Sequence, residues 1–396
     1  MKKTFLKFAS CAAMFAVAAL SLTACSDDEA ASNDFSFAEV DGEYHMAGYI
    51  YSDVTLDASE TYRITGPVVV MKGGSLTVPA GMTITAEPEF SSYILVAQGG
   101  KMYVNGTASA PVTFTSTNGE SNWGGLVING YAPISGELAS NNTAGAEIST
   151  SYKYGGTNAS DNSGSYTYMI LDKTGAKSSA SVEHNGLTLN GVGNGTVIEN
   201  VYVLATADDG VEFFGGSVNV TNLLVVNSDD DMFDFTQGYT GTLTNCYGIW
   251  EDGFVSTEGD PRGVEADGNY DGLATDTDNN QSDFTIAGMT ICIMSTETSN
   301  IMNDAIKVRR GATATITNAL LCGVGSVKDL IDMVDSKGDG TEGSSISLTS
   351  TLTGAVSGSE VVTSTGTTYD DVKVEDGNTG ADASVFTWTG YSFPTL

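Results

Sequence analysis

Short runs in which apolar and polar residues alternate recur along most of the chain, each bounded by glycine. Gly73-Gly74-Ser75-Leu76-Thr77-Val78, Gly99-Gly100-Lys101-Met102-Tyr103-Val104 and Trp123-Gly124-Gly125-Leu126-Val127-Ile128 set a glycine pair ahead of such a run at steps of 26 and 25 residues. Alternation with period two predicts strands with one face buried. A second repeat follows. Asp208-Asp209-Gly210-Val211-Glu212-Phe213-Phe214-Gly215-Gly216 aligns with Asp230-Asp231-Met232-Phe233-Asp234-Phe235-Thr236-Gln237-Gly238 at a step of 22. Glu251-Asp252-Gly253-Phe254 continues the series at a step of 21, and Asn303-Asp304-Ala305-Ile306-Lys307-Val308 resumes it. A glycine falls eight residues after the first polar residue of each unit, at Gly216, Gly238, Gly259 and Gly311. Asn200, Asn222 and Asn245 keep similar spacing, and Asn318 resumes it.

A period in the twenties with glycine-marked corners predicts a solenoid. Leucine-rich repeats share the period, but their LxxLxL motif is absent. The expectation is therefore an all-β chain folded as a right-handed parallel β-helix with coils of 21–26 residues. Equivalent residues of successive coils then stack about 4.8 Å apart. By parity Val211, Phe213, Phe233, Phe235, Ile306 and Val308 face inward, whereas Glu212, Asp234 and Lys307 face out. The stretch Tyr49 to Val70 is expected to cap one end and Val361 to Leu396 the other. Two segments poor in periodicity, near 135–165 and 257–282, read as long loops leaving the solenoid.

The N-terminus has a different pattern. Lys2, Lys3 and Lys7 precede an uncharged apolar stretch from Phe8 to Leu22, which predicts a secretory signal over residues 1–24. Leu22-Thr23-Ala24-Cys25 resembles a lipobox, which implies acylation of Cys25 by chains such as palmitate and an outer-membrane anchor. The acidic Ser26-Asp27-Asp28-Glu29 resembles a surface-export tag and implies exposure on the cell surface. Residues 25–45 are expected to be the lipidated N-terminus and linker, and 46–396 a single β-helix domain. Beyond the signal no apolar run reaches the roughly 20 residues of a spanning helix. A membrane transporter is therefore not expected.

Charge narrows the partners. The chain has 16 basic and 49 acidic residues, a net charge of −33, and without the three signal lysines 13 basic residues remain, giving 13 − 49 = −36. Such a surface repels phosphate backbones, so nucleic acid is excluded as a partner and cations are favoured. Cys246, Cys292 and Cys322 lack CxxC spacing and predict neither a zinc cluster nor a disulfide framework. They are expected as small buried core residues.

At Asn185-Gly186-Leu187-Thr188-Leu189-Asn190-Gly191-Val192-Gly193, at Asp208 to Gly216 and at Asp229-Asp230-Asp231-Met232-Phe233-Asp234 the chain resembles a family of β-helix lipoproteins of Bacteroidota and other Gram-negative bacteria. Trp123 to Gly130 and Gly380 to Phe386 fit the same family, so the resemblance spans residues 60 to 396. It implies the β-helix and carries no established activity with it.

The strongest candidate chemistry is an acidic ladder: Asp208 and Asp209, Asp230 and Asp231, Glu251 and Asp252, then Asp304. Stacked carboxylates repel and raise one another's pKa. Either hard cations, Ca²⁺ above all, neutralise them, or the side chains cap backbone amides at each corner. A second candidate is Asp267-Gly268-Asn269-Tyr270-Asp271-Gly272, the first half of a calcium loop, although Asp278 stands where a bidentate Glu is usual. Arg262, Lys307, Arg309 and Arg310 could supply the base of a Ca²⁺-dependent polysaccharide lyase, or simply pair with carboxylates. Only His45 and His184 offer imidazoles, and no Ser/His/Asp set is indicated. Tyr131, Tyr152, Tyr154, Tyr166, Tyr168 and Trp250 could stack on sugar rings. The reading is a surface-tethered β-helix that binds an extracellular ligand, a glycan, with Ca²⁺ on its acidic face. A polysaccharide lyase and a structural or adhesive surface protein remain the alternatives.

Overall fold

The computed structural model describes residues 35–135, 142–178, 182–269, 281–299 and 301–395. The signal, Cys25, the acidic tag after it, Asp271 and Asp278 lie outside the described residues.

Parallel strands stacked coil on coil build the fold. One register runs Leu187, Val211, Phe233, Val264, Ile306 and Ile331 through six successive coils. All six side chains are buried. Two residues on, Phe213 stacks on Phe235 with ring centroids 5.0 Å apart, and Phe235 stacks on Phe284 at 4.2 Å. The inward parity expected for this row holds because a parallel coil places like on like, and apolar burial rewards an uninterrupted row. The architecture is a parallel β-helix, as the repeat spacing predicts.

Six successive coils also turn a corner within a long strand. Tyr168, Asn200, Asn222, Asn245, Gly288 and Asn318 sit there in register with positive φ, the asparagines between +52° and +59°. Asparagine tolerates this left-handed conformation better than other side chains. The Asn222 amide donates to Asn200 Oδ1 at 2.9 Å and accepts from Asn245 at 3.0 Å. Asn222→Ala loses both bonds and places an alanine at φ +58°. Chemical denaturation should show a destabilisation of about 2 kcal/mol.

Five boundary expectations need correction. Strands begin at Ser36–Val40 and Glu43–Ile50, within the stretch read as linker. Glu43–Ile50 already pairs in parallel with Tyr62–Val70, so residues 49–70 belong to the first coil. The cap is the antiparallel strand Ser36–Val40, whose Phe37 packs edge-on against Tyr44 and Tyr62. At the other end, residues 379–395 run along the side of the solenoid and do not plug it. Phe386 of that strap is buried against an outward apolar row, and Asn318 and Asn245 bond its backbone at Thr379, Gly380 and Asp382. The segment near 257–282 contains a core strand, Arg262–Asp267, paired on both sides. The segment near 135–165 carries an antiparallel hairpin, Ala144–Ala146 with Ser149–Tyr154, packed on the outer face through Ile134, Ala146, Tyr154 and Phe214. Among the described residues no helix is long and apolar enough to cross a membrane.

Candidate cation site

The outward residues beside the inward row form two charged ladders. One position after Val211, Phe233, Val264, Ile306 and Ile331 stand Glu212, Asp234, Glu265, Lys307 and Asp332 in register. Two positions before them stand Asp209, Asp231, Arg262, Asp304 and Asp329, kept in step by Gly210 N–H to Asp231 O and Met232 N–H to Arg262 O. The rung after Asp230 and Asp231 is therefore Pro261 and Arg262, and the sequence alignment with Glu251 and Asp252 is corrected. Those two follow the strand Thr242–Trp250 on another side of the coil, where Asn227 donates to Glu251 at 2.8 Å. Residues 251–260 are inserted between the corner and the next rung, which the even step of 21 concealed.

Basic residues neutralise only one half of the ladders. Arg262 lies 2.7 Å from Asp260, 3.0 Å from Glu265, 3.2 Å from Asp304 and 4.0 Å from Asp231. Lys307 meets Asp332 at 2.5 Å, and Arg309 meets Glu265 at 2.5 Å and Asp267 at 2.6 Å. Arg310 takes the second oxygen of Asp267 at 2.6 Å. Both oxygens of Asp267 are thus engaged by arginines, and the calcium-loop reading of Asp267, Asn269 and Asp271 loses its first ligand. All four basic residues proposed for proton abstraction sit among carboxylates. For Arg262 and Arg309, the neighbouring negative charges outweigh burial and hold the guanidinium proton more tightly than usual.

Apart from the 4.0 Å approach of Arg262 to Asp231, the other half has a single cation among the described residues. Lys177 reaches Asp208 and Glu183 at 3.3 Å each, and also contacts Glu258. Beyond it, Asp208, Asp209, Glu212, Asp230, Asp231 and Asp234 converge on a cleft of about 340 Å³ that Glu147, Glu183 and Glu265 also line. Glu147 comes from the hairpin turn, and Tyr154 at the hairpin's end donates to Gln237 Oε1 at 2.8 Å. The hairpin forms the outer wall. Oxygens of Asp208, Asp209 and Asp230 lie within 4.8 Å of one another, as do those of Asp209, Glu212 and Asp234 and those of Asp231, Asp234 and Glu265.

Burial first, and neighbouring carboxylates second, push these acids upward. Asp230 rises to about 7, and Glu147 to about 7. Asp208 rises to about 8 by burial despite the opposing charge of Lys177. Asp209, Glu212, Asp231 and Asp234 stand well above the usual carboxylate range. The backbone-capping alternative is realised in the later rungs, where Asp329 Oδ1 accepts from the Ser359 amide at 2.7 Å and Asp332 Oδ1 from the Val334 amide at 2.8 Å, and among the cleft acids where Asp209 Oδ1 accepts from the Asp231 amide at 2.9 Å. It leaves the rest unexplained, because Asp230 Oδ1, Asp231 Oδ1 and Asp234 Oδ1 are buried without a hydrogen-bond partner. A buried polar atom in that state is costly, and here it is anionic or forced to protonate.

The sequence placed Asp208, Asp209, Asp230 and Asp231 together, and the structure does so. It missed Glu212, Asp234 and Glu265, although outward parity on the same strands was their signal. Glu147, Glu183 and Lys177 had none, since tertiary packing alone brings their segments here. Asp304 falls in a separate group with Asp329 and Asp332, paired by Arg262 and Lys307. Of the aromatics considered for sugar stacking, Tyr154, Tyr166 and Trp250 are buried, and Tyr168 packs against Trp388 at 5.3 Å. Tyr131 and Tyr152 keep partial exposure.

No curated protein and no solved structure matches the chain. A family model described as a pectate-lyase-like β-helix domain matches residues 48–391, and the chain therefore belongs to that family.

Proposed function

We propose that the cleft bounded by Asp208, Asp209, Asp230, Asp231 and Asp234 binds a hard divalent cation, Ca²⁺, and that the face around it holds an extracellular glycan. The observation that carries this reading is the set of buried carboxylate oxygens with no donor, on Asp230, Asp231 and Asp234, in a corner and strand from Asp229 to Thr236 that carry no basic residue of their own. Oxygen-only ligands at this spacing suit Ca²⁺, which accepts about six to eight of them in flexible geometry. A bound cation can in turn engage sugar hydroxyls or a uronate, which the negative surface alone would repel. In this proposal Cys25 tethers the chain to the outer membrane with the cleft facing outward. Family membership is compatible with a polysaccharide lyase, but a lyase must take a proton onto a base. The arginines nearest the cleft are held in their charged form by Asp231, Asp260, Glu265 and Asp267. Binding without turnover is the better fit.

Affinity gels containing neutral or uronate-rich polysaccharides, run with Ca²⁺ or with EDTA, test the proposal. The protein should be retarded in at least one gel only when Ca²⁺ is present, and no unsaturated product should accumulate. Ca²⁺-independent retardation, or none in any gel, would remove the glycan reading. An ultraviolet-absorbing product lost on Arg262→Ala or Arg309→Ala would establish the lyase instead.

A further inference from the structure

Away from the acidic ladders, on the side of the solenoid that the C-terminal strap covers, an outward row runs Val226, Ile249, Cys292 and Cys322 through four coils in strict register. The row is aliphatic for two rungs and then carries a thiol on two consecutive rungs. Paired residues on neighbouring parallel strands lie about 4.8 Å apart, inside the span of about 4.4–6.8 Å that a disulfide bridges between Cα atoms. The two sulfurs are in hydrogen-bond contact with each other and with the Tyr247 hydroxyl; contact with Cys322 holds the Cys292 thiol below its ordinary value, and the same contact together with burial pushes that of Cys322 up against the effect of Tyr247. Cys246 shows the contrast. It is buried in the solenoid interior, and its register partners are Leu223 and Met289.

We propose that Cys292 and Cys322 are a modification site, a thiol pair that closes to a disulfide and staples two consecutive coils. The oxidant is a small-molecule or protein disulfide. Cys292, as thiolate, attacks one sulfur of that disulfide and releases its first thiol. Cys322 then loses its proton to solvent and displaces the second thiol from Cys292. Two protein thiols give up two electrons and two protons, and one oxidant disulfide becomes two thiols. The strap explains when this can happen. Phe386 and its neighbours cover both cysteines, but the strap follows them in the chain and needs the finished row as its seat. The pair is assembled and accessible before the strap docks, and sealed afterwards.

The test is to unfold the full chain, refold it in oxidised and reduced glutathione, quench with an alkylating agent and map unreduced peptides by mass spectrometry. The expected result is one linked peptide pair joining Cys292 to Cys322, with Cys246 recovered alkylated. The linked protein should also melt several degrees higher than the same sample after reduction. Cys292→Ser and Cys322→Ser should each abolish the link while leaving the β-sheet circular dichroism spectrum unchanged. A parallel refolding of Phe386→Ala removes the strap side chain buried over the row and tests whether access limits closure. Recovery of both cysteines alkylated in wild type and Phe386→Ala, or linkage through Cys246, would overturn the proposal.

Discussion

Millimolar Ca²⁺ should raise the melting temperature of the wild-type protein, and the double replacement Asp209→Asn, Asp231→Asn should abolish that rise. A ligand that binds only the folded state stabilises it by about 2.7 kcal/mol at a hundredfold excess over Kd, on the order of 5 °C for a chain of this size. Asparagine preserves the shape of both side chains, and its Oδ1 can still accept from the Asp231 amide as Asp209 does now. What it removes is charge. The cation-free variant should therefore melt higher than the cation-free wild type, because two buried, mutually repelling carboxyls have become neutral amides. The crossing of these two effects is the diagnostic: wild type more responsive, variant more stable without Ca²⁺. Lys177→Met should act in the opposite sense on binding. It frees Asp208 and Glu183 from an internal ammonium that any incoming cation must displace. Identical melting curves in EDTA and in Ca²⁺ would leave the ladder a structural feature and sink the cation site.

Without divalent cations, stability should fall by several kcal/mol as pH rises from about 4 to about 8. Asp208, Asp230 and Glu147 have folded values of about 8, 7 and 7 against ordinary values of 3.8, 3.8 and 4.5. A raised folded value means that the native state holds protons the unfolded chain has already released. Stability is then fully present below the unfolded value and lost as pH climbs through the folded one. Asp209, Glu212, Asp231 and Asp234 shift in the same direction. One unit corresponds to about 1.4 kcal/mol per group. His184 opposes the trend, since burial lowers it to about 4 and the unfolded chain takes up its proton below pH 6.5. Asp57, Asp335 and Asp382 are lowered and also oppose it, but they act mostly below this window, and Asp161, Asp267 and Asp304 are raised beside the seven, so the sign is not reversed. Ca²⁺ must displace the protons these acids retain, so its stabilising effect should grow across the same window. Denaturant titrations at about pH 4.5, 6 and 8, with and without Ca²⁺, measure both slopes. A cation-free stability that rises toward the alkaline end would show that the cleft carboxylates are ionised and neutralised by something other than protons or metal.

The coil was legible because its signal is local and repeated. A 22-residue step between Asp209 and Asp231, with Val211 and Phe213 above Phe233 and Phe235, states both the parity and the register of two neighbouring coils. Apolar alternation decides which side chains enter the core, and an unbroken inward row follows from stacking identical turns. The asparagine spacing was visible for the same reason, and its meaning, a left-handed corner in four of the coils, follows from the backbone preference of asparagine itself.

What the tertiary structure alone decided is which carboxylates stay uncompensated. The step from Asp231 to Asp252 is nearly as regular as the one before it, yet Arg262 occupies the rung, because an insertion at a corner changes sequence distance without changing the stacking of strands. Charge balance depends on that one exchange of an acid for an arginine. Arg262, Lys307 and Arg309 quench the later rungs, while the earlier ones meet Lys177, the 4.0 Å edge of Arg262 at Asp231, and a hairpin that adds Glu147. Burial of the same aspartates likewise comes from the hairpin packing through Tyr154 and Phe214, a contact between residues 60 positions apart. Sequence by itself determined the scaffold, since period and polarity act between neighbouring residues and coils. The cleft and its electrostatics were decided by long-range packing, since desolvation and Coulomb interaction depend on which side chains meet in space.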